Sequence, residues 1–170
     1  MVFRVASAFS SGGGGGIAGY YGSFYSSVDQ VDGVTPIAMA VENTDLSNGI
    51  SMVNNLAGKK TRITFANSGV YNIQFSAQFH NTGGGGSGNT TNIWFRLNEA
   101  NIPNSDTKLT VPSNAPYVVA AWNFMSALAA GDYVEIMWYT DNVNVIIEHE
   151  AATATTPAIP SIIITANQVG

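Results

Sequence analysis

Two histidines, eleven carboxylates and a run of glycines are the residues with which this chain could do chemistry. His149 stands in IIEHEAA between Glu148 and Glu150. In an extended strand, alternation sends both carboxylates to the face opposite the imidazole, so the three diverge from any shared metal ion. His80 falls on the polar side of its own segment and has no acidic neighbour in sequence. Asp29 and Asp32 in VDQVDG, with Asp45 and Asn48 in NTDLSNG, offer oxygens on loops. Their spacing is not that of a calcium loop, and turn chemistry accounts for them.

The glycine run contains a formal G-x-G-x-x-G match at Gly14, Gly16 and Gly19. A dinucleotide site needs that motif to end a strand and open a helix whose N-terminus holds the pyrophosphate. The glycines lead instead into YYGSFYSS, which reads as a strand, so the cradle is rejected. The segment VNNLAGKKT has Val53 where a nucleoside-triphosphate loop has its first glycine, and no Gly-x-Ser-x-Gly elbow occurs. Cysteine is absent, which removes thiolate nucleophiles, thiolate metal sites and disulfides together. A pair of acids for glycoside hydrolysis has no motif to mark it. The expectation is a chain that is not an enzyme and needs no cofactor and no metal.

The charge pattern narrows the partners. Charged residues make up 10% of the 170, well under the usual quarter, and the net charge is -5. The sole basic cluster is GKKTR, Gly58 to Arg62, which reads as a solvated turn, so nucleic acid is not an expected partner. No apolar stretch nears the ~20 residues of a membrane-spanning helix, and MVFRVASAF is too short and interrupted for a signal peptide, so no membrane is expected either. Asn89 to Thr91 forms a glycosylation acceptor that matters only in a eukaryotic secretory route.

The elements that must carry these residues are short alternating segments parted by Gly, Asn, Asp and Pro, the pattern of an all-β sandwich. In GVYNIQFSAQFHN, Tyr71, Ile73, Phe75, Ala77 and Phe79 share one face, while Asn72, Gln74, Ser76, Gln78 and His80 share the other. Strands are also expected at YGSFYSS, PIAMAVEN, GISMVN, TRITFAN, NIWFRLN, TKLTVPS, YVVAAWNFMSAL, DYVEIMWYT, VNVIIEHEA and SIIITANQV. NTGGGGSGNTT, between two of them, reads as a hairpin loop. YVVAAWNFM, YVEIMWY and PSIIITA are apolar on both faces, which predicts burial of a second face against another subunit. Phe24, Tyr71, Phe75, Trp122, Phe124 and Trp138 are the expected core or subunit-packing residues. Trp94 is aimed outward beside Arg96, because Ile93, Phe95 and Leu97 point in; it and Tyr117 are the expected exposed contacts.

In ITFANSGVYNIQF, Ile63, Gly69, Tyr71, Ile73 and Phe75 stand at the spacing of aromatic, five residues, Gly-x-Tyr-x-Phe-x-aromatic. A late Gly131-Asp132 turn then leads into an apolar strand. These features resemble the tumour-necrosis-factor-like jelly roll shared with the globular heads of the first complement component, over about Tyr20 to Val169. Ile63 and Ile73 depart from the aromatics of that pattern. The overall texture is similar to jelly-roll domains of virion structural proteins in tailed phages, particularly of marine bacteria. The resemblance implies an all-β, two-sheet antiparallel jelly-roll sandwich of about ten strands that trimerises around a threefold axis.

The same features divide the chain: residues 1–19 form an anchoring arm with a glycine-rich joint, and residues 20–170 the jelly roll. Val2, Phe3, Val5 and Phe9 supply the apolar, strand-forming contacts of the arm. The expected function is a homotrimeric knob on the exterior of a phage particle, decorating the capsid through that arm. A long shaft is expected of a fibre protein, and the short arm therefore favours head decoration over the receptor-binding tip of a tail fibre. A carbohydrate-binding jelly roll is the reading from another class, with Tyr117, Trp94 and Tyr139 as candidate stacking residues for a host surface glycan.

Overall fold

The computed structural model describes residues 19–83, 89–113 and 117–170. The arm residues Val2, Phe3, Val5 and Phe9 and most of the second glycine run lie outside them. All regular structure in the described residues is β, in two antiparallel sheets.

Strands are numbered in chain order. One sheet holds β1 (Tyr21–Ser26), β3 (Asn43–Asn48), β6 (Gly69–Asn81), β10 (Val118–Leu128), β12 (Val145–Ile147) and β13 (Ile162–Gln168). Its order is β10-β6-β13-β1-β3, and β12 pairs with the end of β6 beyond β13. The other holds β2 (Ile37–Ala38), β4 (Ile50–Asn54), β5 (Lys60–Phe65), β7 (Asn89–Leu97), β8 (Ala100–Asn101), β9 (Thr107–Val111) and β11 (Tyr133–Thr140). There the order is β4-β5-β11-β7-β8, with β9 also on β7 and β2 also on β11.

Period-two alternation sets the core. On β6 the set Tyr71, Ile73, Phe75, Ala77 and Phe79 is buried against the inward residues of the other sheet. Phe95 of β7 meets Phe75 edge-on at 6.0 Å and stacks on Phe124 of β10 at 4.7 Å, so three strands from both sheets lock through one ring cluster. Phe79 meets Trp138 at 5.8 Å, and Trp122 meets Phe75 at 4.6 Å. Phe24, Tyr71, Phe75 and Trp138 are core residues, while Trp122 and Phe124, on the edge strand β10, are partly buried against it. Gly33 comes so close to the Trp138 ring that an added Cβ would lie 2.2 Å from it.

The turn of Gly131 and Asp132 shows why those two types recur before an apolar strand. Gly131 has φ +88°, the left-handed region that favours glycine, and its N–H donates to Phe65 O at 2.7 Å. Asp132 accepts from Ala129 N and from Asn98 Nδ2, both at 2.7 Å, which fastens the start of β11 to the β7–β8 hairpin. That hairpin turns on Asn98 and Glu99, both at positive φ, as a two-residue turn of matching twist requires.

Four expectations change. Of PIAMAVEN only Ile37 and Ala38 form a strand of their own, with Asn43 opening β3, because Met39 N donates to Ile136 O on β11 while Val41 N donates to Lys60 O on β5. The segment passes from one partner to the next instead of running along either. NTDLSNG, read as a loop, is strand β3, and Asp45 is the extra residue where its register against β1 shifts. β12 ends at Ile147, because His149 N is captured by Asp29 Oδ1 at 2.7 Å. The doubly apolar β11 is buried on both faces within the chain, Val134, Ile136 and Trp138 on one and Glu135 and Met137 on the other; these residues need no other subunit to cover them.

Candidate functional site

The outward face of the six-stranded sheet carries almost no charge. Within its strands the only acidic or basic residues are Asp45, on the edge strand β3, and His80, near the end of β6, whereas Lys60, Arg62, Arg96, Lys108 and Glu135 all sit in strands of the other sheet. Across this face the register aligns Ala121, Ser76, Ile163 and Tyr25 in one row. The row two residues along holds Asn123, Gln74, Thr165 and Ser23, and the next holds Met125, Asn72, Asn167 and Tyr21. Val119 is 59% exposed, Met125 57%, Tyr21 43% and Ile163 42%. Ordinary solvated sheet faces carry charges; this one offers apolar groups, phenols and short amides over five strands. For β10 and β13, the doubly apolar pattern does leave a second face open.

At one end of that face is its only ionisable cluster among the described residues. His80 Nδ1 lies 2.7 Å from Glu148 Oε2, and the Tyr117 ring packs 4.9 Å from the imidazole. The Tyr117 hydroxyl is pushed up to about 12, first by the Glu150 carboxylate as acceptor for its proton, then by burial and by the charge of Glu148. Sequence alternation separated His149 from its flanking acids; the fold instead brings those acids to His80 and Tyr117, through the pairing of β12 with β6 and its early end.

The opposite sheet presents a groove of about 450 Å³ lined by Pro36, Asn92, Trp94, Asn101, Ile102, Asn104, Asp106 and Tyr139. Trp94 points outward, with Ile93 and Phe95 buried to either side, and its Nε1 donates to Asn101 Oδ1 at 2.8 Å. Asn92 Nδ2 donates to Asp106 Oδ2 at 2.9 Å. Trp94 and Tyr139 thus share one site, and Tyr117 does not join them, being on the other sheet. The polar members Asn101, Asn104 and Asp106 come from NEANIPNSD, a segment whose density of Asn and Asp directly after the Trp94 strand was the available signal.

Beside the groove lies the one fully buried carboxylate among the described residues. Glu135 accepts from Thr61 Oγ1 at 2.5 Å and from Arg96 Nε and Nη2 at 3.0 and 2.6 Å. Its oxygens are taken up by these donors, so it braces β5, β11 and β7 and is not poised for catalysis. Arg62 completes a second bridge, to Glu99 at 2.8 Å, while its guanidinium lies over Tyr133 at 4.4 Å. The GKKTR cations are therefore engaged: Lys59 faces Asp32 at 3.8 Å, and Lys60 donates to Glu42 O. No cluster of three or more His, Cys, Asp or Glu side chains is placed to hold a metal among the described residues, and no helix there is long and apolar enough to cross a membrane.

No protein-family model matches the chain, and no curated protein sequence does. Among solved structures, the crystal structure of murine APRIL at pH 5.0 superposes with a TM-score of 0.55 at 9% identity, over 89% of this chain and 99% of that one. The fold is a tumour-necrosis-factor-like jelly roll. The path of the chain is what this likeness establishes, so the elements that carry the uncharged face and the groove are those of that fold.

Proposed function

We propose that this chain is a structural protein of a phage particle, a homotrimeric jelly-roll knob displayed on the virion exterior and joined to another virion protein, most directly the capsid, by its N-terminal arm. The observation that carries the trimer is the uncharged outward face of the six-stranded sheet, where Val119, Met125, Ile163, Tyr21 and Tyr25 are all open to solvent in one chain. A second copy of this chain is the occupant that fits: in a threefold ring each copy presents this face to a different patch of its neighbour, and a face with almost no charge brings almost no ion to desolvate there. The trimer is also the assembly implied by the family resemblance, and the phage particle is implied by the overall texture of the sequence.

The particle assignment is tested by electron microscopy of virions carrying a label at the carboxyl terminus. Label distributed over the head supports decoration; label at the tail tip moves the same trimer to a receptor-binding role, and no label on particles refutes the virion reading. Residues 1–16 are assigned the attachment. Their deletion leaves a folded trimer that no longer decorates particles, and retained decoration refutes the arm's role.

A further inference from the structure

We infer that the groove between Trp94 and Tyr139 is a binding site for a pyranose ring of a glycan. The groove is complete within one chain and lies on the sheet opposite the uncharged face, so its occupancy does not depend on the proposed assembly. Sugars present two chemistries at once: an axial C–H face that packs on an aromatic ring, and neighbouring hydroxyls that both donate and accept. Trp94 and Tyr139 supply the rings, with Pro36 and Ile102 as the remaining apolar lining. At about 450 Å³ the groove lies within the roughly 300–1,000 Å³ typical of small-molecule sites.

The polar groups match the hydroxyls in kind. Trp94 Nε1 occupies Asn101 Oδ1, and Asn92 Nδ2 occupies Asp106 Oδ2. Among the described residues those bonds leave Asn101 Nδ2 to donate, and Asn92 Oδ1 and Asp106 Oδ1 to accept. Asn104, exposed and held at φ +61°, adds a further amide that both donates and accepts. The same two bonds fix the indole and the Asn92 amide before any ligand arrives, which lowers the ordering cost of binding. The one charge in the lining is the Asp106 carboxylate, which favours hydroxyl donors and repels phosphate. A nucleotide is thereby disfavoured.

The test is a microarray of pyranose-terminated glycans probed with the purified full-length protein, followed by calorimetric titration of the strongest binder. The expected result is saturable binding that falls by about tenfold or more in Trp94→Ala and in Asp106→Ala, the loss expected when an aromatic platform or a charged hydrogen-bond partner is removed. Tyr117→Phe, on the other sheet, leaves the affinity unchanged. If Trp94→Ala does not fold, Asp106→Ala and Asn104→Ala, both at exposed positions, carry the test. Absence of any pyranose binder, or affinity kept within about twofold in Asp106→Ala and Asn104→Ala, overturns the inference.

Discussion

Replacing Ile163 by glutamate separates a face that meets water from one that meets other subunits. Ile163 sits on β13 between Ser76 of β6 and Tyr25 of β1, near the middle of the uncharged face. It is 42% exposed in the single chain, so a glutamate there reaches water and costs the isolated fold about 0.5 kcal/mol or less. In a trimer closed through this face the same carboxylate is buried, and the strands of its sheet contain no Lys or Arg to pair with it. An unpartnered buried charge costs several kcal/mol even after relaxation; taking about 3 kcal/mol per subunit weakens each contact by over a hundredfold, and symmetry applies the penalty in all three. Sedimentation at micromolar concentration, with circular dichroism to follow the fold, is the assay. Ile163→Glu sediments as a folded monomer, and the neutral control Ile163→Gln keeps most of the trimer. A glutamate variant that remains trimeric over the wild-type concentration range would show that this face is not the subunit contact.

Two further predictions concern the interior and the ionisable cluster. Glu135→Ala strips the partner from Arg96 and Thr61; because the Arg96 side chain is 28% exposed, the loss belongs at the low end of the range for broken buried pairs, about 3 kcal/mol in denaturant unfolding, and a loss under about 1 kcal/mol contradicts the brace. Tyr117 has its folded pKa raised to about 12 from 10.0, so the stability it contributes is complete below pH 10.0 and is lost as pH rises through about 12. Ultraviolet titration of the tyrosinates should show one phenol near that value disappear in Tyr117→Phe, and unfolding midpoints of the variant should decline less over that window. Unchanged titration of the variant contradicts the placement of Glu150 and Glu148 around this hydroxyl.

The strands were legible where one face is buried and the other is not. Tyr71 to Phe79 and Ile93 to Phe95 alternate in sequence as they do in space, because solvent on one side and core on the other impose a period of two. Segments that change partners were not legible in that way. Met39 and Val41 bond to different strands, and Asp45 is an extra residue in a shifted register, neither of which leaves a periodic trace. Nor does period alone say why a second face is apolar: β11 is central and covered within the chain, whereas β10 is an edge and stays open. For the groove, the outward aim of Trp94 was readable from its neighbours, but Tyr139 meets it only through the pairing of β7 with β11. The cluster of His80 with Glu148 likewise depends on β12 joining β6, a contact far apart in sequence.

The most direct test of the assembly is the mass of the purified wild-type protein in solution by sedimentation equilibrium. A trimer closed through the uncharged face predicts a single species of three times the 17.9 kDa chain mass at micromolar concentration, one that persists on dilution and in high salt because its contact face has almost no charge to screen. A stable folded species of 17.9 kDa under those conditions would contradict it.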